Sequence, residues 1–226
     1  MAFVDNIGGQ PIVIKDQGKG IKSINQYYEK RVAKLKKKYA KQQKQQLRQQ
    51  NRLKYGKKFR QLQRKWKLKA NYCLHAMSRF LVDVFINRKL SRVTVGYNPL
   101  WKQQARLGKR NTQIFVKIPF NRFIKLLEYK TAEHGIVVER IEESYTSKCS
   151  FLDNEPARKH HKYLGRRVRG LFYSAQGILI NADINAAFNI LILSEPQALP
   201  PRSVNGGYGG YVIYPLCWSL VHPWTP

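Results

Sequence analysis

The chain has 226 residues, and its 42 Lys and Arg against 13 Asp and Glu give a formal net charge of +29. This excess predicts a polyanionic partner, with nucleic acid first and a membrane surface second. Because we find no apolar run of about 18 residues and no signal peptide, we expect a cytoplasmic protein without a membrane partner. Cys73, Cys149 and Cys217 lie far apart without a CxxC pair, which fits a reducing compartment and predicts no disulfide framework.

The first elements are a hairpin and two long helices. Two apolar runs, residues 2–4 and 11–14, flank a Gly-rich turn and predict a β-hairpin. A helix is predicted from Ser23, which with the Gln three positions later makes a capping-box pattern, to about residue 53. A second helix is predicted over about residues 58–86, and its apolar second half is expected to pack on a core.

Residues 30–69 carry many Lys and Arg and no Asp or Glu. Such a run is either a solvated face or a phosphate-binding surface, and self-repulsion between acid-free helices favours the second. An antiparallel helix pair suits the phosphates of a duplex. Interleaved tyrosines and Trp66 either stack on bases or pack between the helices. The predicted contacts on these helices are Lys34, Lys37, Lys41, Lys44, Arg48, Arg52, Lys57, Lys58, Arg60 and Arg64.

The second half of the chain has α/β character. A buried strand at 92–98, a helix at 120–134 ended by Gly135, and a strand at 136–141 have the spacing of a βαβ unit. A polar loop follows, then a small hairpin within 166–180 around the turn 174–177. A short helix carries Asp183 in its opening. Further nucleic-acid contacts are predicted at Lys102, Lys148, Arg166, Arg167 and Arg169.

The few acids point to a metal site. Glu142 and Glu143 follow the second strand of the βαβ unit, and Asp183 opens the next helix. Two carboxylates on a basic surface repel each other unless a cation lies between them, and Mg²⁺ or Mn²⁺ bound by oxygen ligands supports phosphodiester hydrolysis. The alternative is that Glu143 and Asp183 pair with local Arg residues or cap a helix.

Two other groups have ordinary explanations. His160 and His161 with Cys149 match no zinc spacing, so we interpret them as loop residues and expect no zinc. The hydroxyls and cation of the Thr146-Ser147-Lys148 run suit either phosphate positioning or an ordinary turn.

Several motifs in order carry a family resemblance. Together they resemble the C-terminal part of TnpB, the RNA-guided endonuclease of bacterial insertion sequences and a relative of type V CRISPR effectors, over most of residues 1–193. The motifs are VGYN at 95–98, WKQ at 101–103, EESYTSKCSFLD at 142–153, GRRVRGLF at 165–172 and NADINAAFNI at 181–190.

This resemblance implies a RuvC-type nuclease of RNase H-like fold that holds divalent metal with two Asp and one Glu. Asp183 matches the last catalytic Asp. The Glu implied at the end of the strand at 92–98 is absent, and Glu143, with Glu142 second, is the displaced candidate. The first catalytic Asp of the family would precede the opening hairpin, so we expect a truncated domain whose DNA cleavage is weak or lost.

The resemblance also implies DNA and a guide RNA as partners and a role in transposition. The fold class predicted is α/β, an RNase H-like mixed sheet incomplete at its first strand, with an inserted basic helical hairpin. The alternative function is a non-enzymatic DNA- or RNA-binding module or regulator. A structural RNA protein, such as a ribosomal one, fits the charge but not the acid-bearing motifs. The predicted domains are the opening of the sheet at 1–22, the helical hairpin at 23–88, the rest of the nuclease domain at 89–193 with a degenerate zinc-ribbon region at about 146–180, and an irregular tail at 194–226.

Overall fold

The computed structural model describes residues 2–4, 12–15, 20–42, 56–98, 117–197 and 216–219. The chain divides into two compact units. The first contains Met1–Lys15, Val82–Gln103 and Leu127–Ser219, and the second contains Asp16–Leu81, Gln104–Leu126 and Leu220–Pro226. Over the described ranges, none of the helices combines the length and the apolar character that crossing a membrane requires.

The elements mix helices with three small sheets, which confirms the prediction of an α/β fold. In chain order they are β1 (Ala2–Phe3), β2 (Ile12–Lys15), α1 (Ile21–Gln42), α2 (Lys57–Asn87), β3 (Arg92–Tyr97), α3 (Phe120–Ala132), β4 (Val137–Glu142), β5 (Arg166–Val168), β6 (Leu171–Tyr173), β7 (Leu179–Asn181), α4 (Ala182–Ser194) and β8 (Leu216–Ser219).

The first sheet has the order β1-β2-β8. β1 and β2 pair antiparallel, as the hairpin pattern predicted. β8 then pairs parallel with β2, with Ile12 opposite Leu216. The prediction of an irregular tail over 194–226 is therefore wrong at residues 216–219. The Pro- and Gly-rich composition of this region hid the four-residue stretch Leu-Cys-Trp-Ser, three of whose residues are apolar and which is long enough to extend an existing sheet edge.

The second sheet is the predicted βαβ unit. β3 and β4 are parallel, with Gly96 opposite Ile141, and α3 connects them. The helical region ends at Gly135, whose φ of +69° is a conformation that favours glycine. β3 pairs only with β4 within the described part of the chain. Contacts from α4 reach both of these strands and also β1.

The third sheet corrects the predicted small hairpin. We treated residues 166–173 as one strand, but the structure divides them into β5 and β6, which pair antiparallel, and β7 adds to β6. The division falls at Arg169 and Gly170, whose φ values are +48° and +86°. Two successive positive φ values make the two-residue turn that matches the twist of a β-hairpin.

α1 and the part of α2 up to Leu81 form the predicted antiparallel pair inside the second unit. Tyr28 is buried and its ring stacks on Trp66 at 5.2 Å between centroids, while the Trp66 Nε1–H donates to Asn25 at 2.7 Å. Near the other end, the Tyr39 hydroxyl lies against Gly56. Packing therefore explains Tyr28 and Trp66, whereas Tyr27 is 56% exposed. The predicted helix residues 43–53 lie outside the described residues.

The predicted helix start at Ser23 is wrong by two residues, because α1 begins at Ile21. Ser23 lies in the first turn of the helix, where its hydroxyl donates to the Gly20 carbonyl at 2.7 Å. A serine three residues into a helix makes this backward bond instead of accepting from the free N–H groups of the first turn. The capping-box pattern therefore marked the correct turn but not the correct residue.

α4 supports the core of the first unit. Its buried apolar side chains pack with Phe151, from the loop after β4, and with Phe172 of β6. The rings of Phe151 and Phe188 stack at 4.4 Å between centroids. Ala2 and Val4, at the start of the chain, pack against the same cluster. One helix thus fixes the position of the loop and of the third sheet relative to β1.

Candidate functional site

Asp183 lies in the first turn of α4, but it is not the cap. Asn181 is the N-cap residue, and its side chain accepts hydrogen bonds from the N–H groups of Asp183 and Ile184. Asp183 is instead paired with Arg167, with 3.5 Å between Oδ1 and the guanidinium nitrogen. Its side chain is 45% exposed, so the carboxylate remains accessible to water and ions.

Glu143 occupies a tighter place at the end of β4. A Cβ atom at Gly96 would overlap both the Glu143 carboxylate and the Ile190 side chain, so the absence of a side chain at Gly96 makes room for both. Burial raises the pKa of the Glu143 carboxyl above its ordinary value. Glu142, the second candidate, is exposed and accepts a hydrogen bond from the Ser144 hydroxyl at 2.6 Å.

The structure gives Glu143 and Asp183 different neighbours. Glu143 packs beside Ile190, which lies two helical turns after Asp183, a distance of about 10 Å along the axis of α4. No group of three or more His, Cys, Asp or Glu side chains that could hold a metal ion occurs in the described ranges. Of the two carboxylates, Asp183 has the local Arg partner that the alternative interpretation predicted.

Two amides of α4 fasten the loop that follows Glu143. The Asn185 amide donates to the Cys149 carbonyl at 2.8 Å and accepts from the Phe151 N–H at 3.0 Å. The Asn189 amide donates to the carbonyls of Thr146 and Cys149, both at 2.8 Å. Both side chains are buried. Sequence reasoning assigned neither of them this role, although two amides four residues apart on an apolar helix share one face and indicate a buried polar contact.

The same loop is closed by a carboxylate that sequence reasoning missed. Glu155 is buried and accepts from the backbone N–H groups of Ser150 at 2.7 Å and Leu164 at 3.0 Å. Asp153 accepts from the Ser150 hydroxyl at 2.5 Å and from the Ala175 N–H at 2.8 Å. These internal bonds hold the region that we predicted to be a degenerate zinc ribbon.

Cys149 and His160, two of the three residues considered as zinc ligands, have protein partners. The Cys149 thiol is buried and donates to the Arg158 carbonyl at 3.5 Å, and burial raises its pKa. A His160 ring nitrogen lies 2.8 Å from the Pro156 carbonyl. Thr146 donates its hydroxyl to the Glu143 carbonyl at 3.0 Å, as in an ordinary turn.

The predicted cations of the helical pair lie on its surface. Each side chain that the structure describes there is exposed, and none forms an ion pair with an acid of the described ranges. These residues are Lys34, Lys37, Lys41, Lys57, Lys58, Arg60 and Arg64. Four predicted contacts lie outside the described residues, namely Lys44, Arg48, Arg52 and Lys102.

The three arginines of the β5–β6 hairpin point to different places. The Arg166 guanidinium lies over the ring of Tyr173 at 5.4 Å, while Arg167 reaches Asp183. Arg169 is exposed in the turn at positive φ. The hairpin therefore presents cations on both of its sides and at its tip. One of these cations, Arg167, pairs with Asp183, a predicted metal ligand.

Comparison with known protein families gives one match for this part of the chain. Residues 120–190 match the family described as Cas12f1-like, TNB domain. The chain is a relative of the TnpB and Cas12f type. The matched segment contains α3, β4, the loop fastened by Asn185 and Asn189, the third sheet and most of α4. Both Glu143 and Asp183 thus fall inside the Cas12f1-like segment, together with Arg167.

Among solved structures, the chain is similar to one described as "Cryo-EM structure of the Cas12f1-sgRNA-target DNA complex". The two share 20% identity with a TM-score of 0.45. The similarity covers 59% of this chain and 36% of that one, so the chain spans about a third of the length of the Cas12f1 structure it matches. No curated protein matches the sequence.

Glu143 gives the Cas12f1-like segment a testable pH dependence. Its folded-state pKa is raised, so the favourable contribution of the protonated carboxyl is complete below the unfolded-state pKa and is lost as the pH rises through the folded-state pKa. We therefore expect Glu143→Gln to raise the melting temperature at neutral pH, with the difference shrinking in acid. Melts of both proteins between pH 4 and pH 8 measure this, with Glu142→Gln as the exposed control. An unchanged difference across that range would contradict the burial of the charge.

Proposed function

We propose that the chain is a nucleic-acid-binding protein of the TnpB and Cas12f type, with DNA and a guide RNA as its partners, and that its cleavage of DNA is weak or lost. The observation that carries the binding is the cationic surface of α1 and α2, where no acid occurs between residues 30 and 69. The match of residues 120–190 to a Cas12f1-like domain supports the type of protein.

The proposed finer fold is an RNase H-like domain of the RuvC type. The parallel pair of β3 and β4, its connecting helix α3, and the packing of α4 on both strands support this fold. In such a domain the carboxyl ends of neighbouring strands form the edge where ligands bind. Glu143 follows β4 at that edge. By the same proposal, the protein is associated with a transposon, as TnpB is.

The weak or lost cleavage is supported by the neighbours of the two carboxylates. Within the described part of the chain, Asp183 pairs with Arg167, whereas Glu143 lies beside Ile190, two helical turns after Asp183 on α4. Mg²⁺ or Mn²⁺ held by Glu143 and Asp183 stays a prediction. Their roles there would be those of oxygen ligands, with water and phosphate oxygens completing the shell.

The experiment separates binding from cleavage. The purified chain is mixed with labelled DNA at low salt, with EDTA or with Mg²⁺, and both affinity and nicking of a plasmid are measured. We expect salt-sensitive binding in either condition and affinity within about two-fold for Asp183→Asn, because one neutralised acid changes the total charge little. Plasmid nicking that needs Mg²⁺ and disappears in Asp183→Ala would overturn the loss of cleavage. Absence of binding at low salt would overturn the proposed function itself.

A further inference from the structure

We propose that one face of the third sheet binds a short segment of another protein, in which apolar side chains are flanked by carboxylates. We name it the outer sheet face and define it by Arg166, Val168, Leu171, Tyr173 and Leu179. The partner is a protein and not a nucleic acid, so this inference goes beyond the proposed function and does not depend on it.

The third sheet has apolar residues on both of its faces. Phe172 of β6 and Ile180 of β7 are buried in the core of the first unit. Because successive residues of a strand point to opposite faces, their neighbours along each strand point away from that core. An antiparallel sheet with one solvated face carries polar residues there. Leu171 and Leu179 occupy such positions and are 38% and 39% exposed, which is the pattern of a sheet that is covered on both faces.

The apolar residues of the outer sheet face form one patch. Val168 lies opposite Leu171 in the pairing of β5 with β6, and Tyr173 lies opposite Leu179 in the pairing of β6 with β7. Opposite side chains on one face are about 5 Å apart, and diagonal ones about 7–8 Å. Val168 is 40% exposed. A contiguous apolar patch indicates an interaction site, whereas single exposed apolar residues do not.

The charged residues on this face and in its turns are all cations. Arg166 lies on the face itself, with its guanidinium over the Tyr173 ring at 5.4 Å. Arg169 is exposed in the turn between β5 and β6. The sequence has no Asp or Glu from residue 156 to residue 182. An arginine binds a carboxylate through two parallel hydrogen bonds, so the charge favours an acidic partner.

The small area of the face limits the size of the partner segment. The three strands have three residues each, so the face measures about 10 Å along the strands and about 10 Å across them. A stable interface between two folded proteins buries about 800 Å² on each side, which is far more than this face offers. A short peptide segment with two or three apolar side chains can cover it, and we expect micromolar affinity.

Three other occupants fit the outer sheet face less well. The aliphatic side chains of Val168, Leu171 and Leu179 cannot stack on bases as aromatic rings do. A second copy would bring the same arginines and a net charge of +29 to the contact, so like charges would meet. Insertion into a lipid surface needs apolar side chains at a protruding tip, whereas Tyr173 and Leu179 lie at the end of the strands away from the Arg169 turn.

The experiment selects binders from a phage-displayed library of random peptides on the full chain, at about 0.3 M salt to screen attraction to the net charge. We expect the selected peptides to combine apolar residues with Asp or Glu. The triple variant Val168→Thr, Leu171→Thr and Leu179→Thr keeps strand propensity and should weaken binding of a labelled selected peptide about ten-fold or more. Val137→Thr is the matched control, since Val137 is 56% exposed on β4, and should change the affinity less than two-fold.

A second variant leaves the apolar residues unchanged. Arg166→Gln combined with Arg169→Asn, which suits the turn, should weaken peptide binding and reduce its salt dependence. The control pair Arg122→Gln and Lys125→Gln removes the same charge from exposed positions elsewhere and should have little effect. Equal effects of the two pairs would contradict the proposal, even if the triple variant failed to fold.

Three further results would overturn the proposal. The first is a selection that yields no peptide, or only peptides that bind the triple variant as tightly as the unaltered chain. The second is co-sedimentation with phosphatidylserine vesicles that is lost in the triple variant, because the face would then bind lipid. The third is a dimer of the unaltered chain, seen by light scattering and absent from the triple variant, because the face would then bind a second copy.

Discussion

Replacement of Lys34, Lys37 and Lys41 by Gln is expected to weaken binding of duplex DNA by about 100-fold at 0.1 M salt. Each lysine that contacts a phosphate releases about 0.9 counterion from a duplex, so the slope of log affinity against log salt should fall by about 2 to 3. Gln and Lys have similar helix propensities, and the three side chains are exposed, so the fold should be retained. Anisotropy titrations at four salt concentrations measure both quantities.

The reason for choosing these three lysines is their position on α1. The buried residues Asn25, Tyr28 and Val32 recur at helical spacing and form the face toward α2. Lys34, Lys37 and Lys41 recur at the same spacing, each nine positions after one of these buried residues, and so form a stripe rotated by about 180° from the buried one. They therefore lie on the face directed away from α2, where phosphates can approach without disturbing the packing of Tyr28 on Trp66.

A control variant removes three other exposed cations, Lys89, Arg122 and Lys125, which lie outside the acid-free stretch. It changes the net charge by the same amount and should change the salt slope by less than 1 if the α1 stripe is the contact surface. Equal effects of the two triple variants would mean that DNA responds to the total charge of the protein. That result would contradict a specific role of the helical pair.

The sequence sufficed for features that depend on local pattern. The helices, the βαβ unit and the position of Asp183 in the first turn of a helix follow from hydrophobic spacing, from Gly135, and from Asn181 with the acid that follows it. The antiparallel pairing of α1 and α2 was predicted as well, and the contacts of Trp66 with Tyr28 and Asn25 agree with it. Whether Tyr28 and Trp66 face bases or each other did not follow, because both uses require the same aromatic residues at the same spacing.

The remaining features depend on contacts that leave no local pattern. Glu155 accepts hydrogen bonds from the backbone N–H groups of Ser150 and Leu164. Because every residue except proline has a backbone N–H, the sequence does not indicate which of them would pair with Glu155. The turn at Arg169 puts an arginine where this turn type favours Asn or Gly, so the division of β5 from β6 was hidden. Arg167 reaches Asp183 across 16 positions, and that pairing required the third sheet to be in place.

The second large effect, on the free energy of unfolding, is expected when the buried amides of Asn185 and Asn189 on α4 are removed. Asn185→Ala removes the acceptor of the Phe151 N–H, and Asn189→Ala removes a donor to the Thr146 carbonyl. Each group is buried, so each single variant should lower the free energy of unfolding by about 1–3 kcal/mol. In both single variants the Cys149 carbonyl keeps one of its two amide donors.

The double variant removes both donors of the Cys149 carbonyl and should therefore cost more than the sum of the two single variants. We expect an excess of about 1 kcal/mol, the range found for residues that share a partner. Urea unfolding of the four proteins of the cycle measures this excess. The control cycle combines Asn185→Ala with Leu193→Ala, an exposed residue two turns away on α4, and should be additive.

Additivity in the Asn185 and Asn189 cycle would mean that the Cys149 carbonyl finds water or another donor once the amides are gone, so the loop would not depend on α4 for its shape. An excess would instead show that α4 fastens residues 146–151 cooperatively. Because Lys148 belongs to that stretch, its contact with Tyr163 would then depend on helix residues about 40 positions further along the chain.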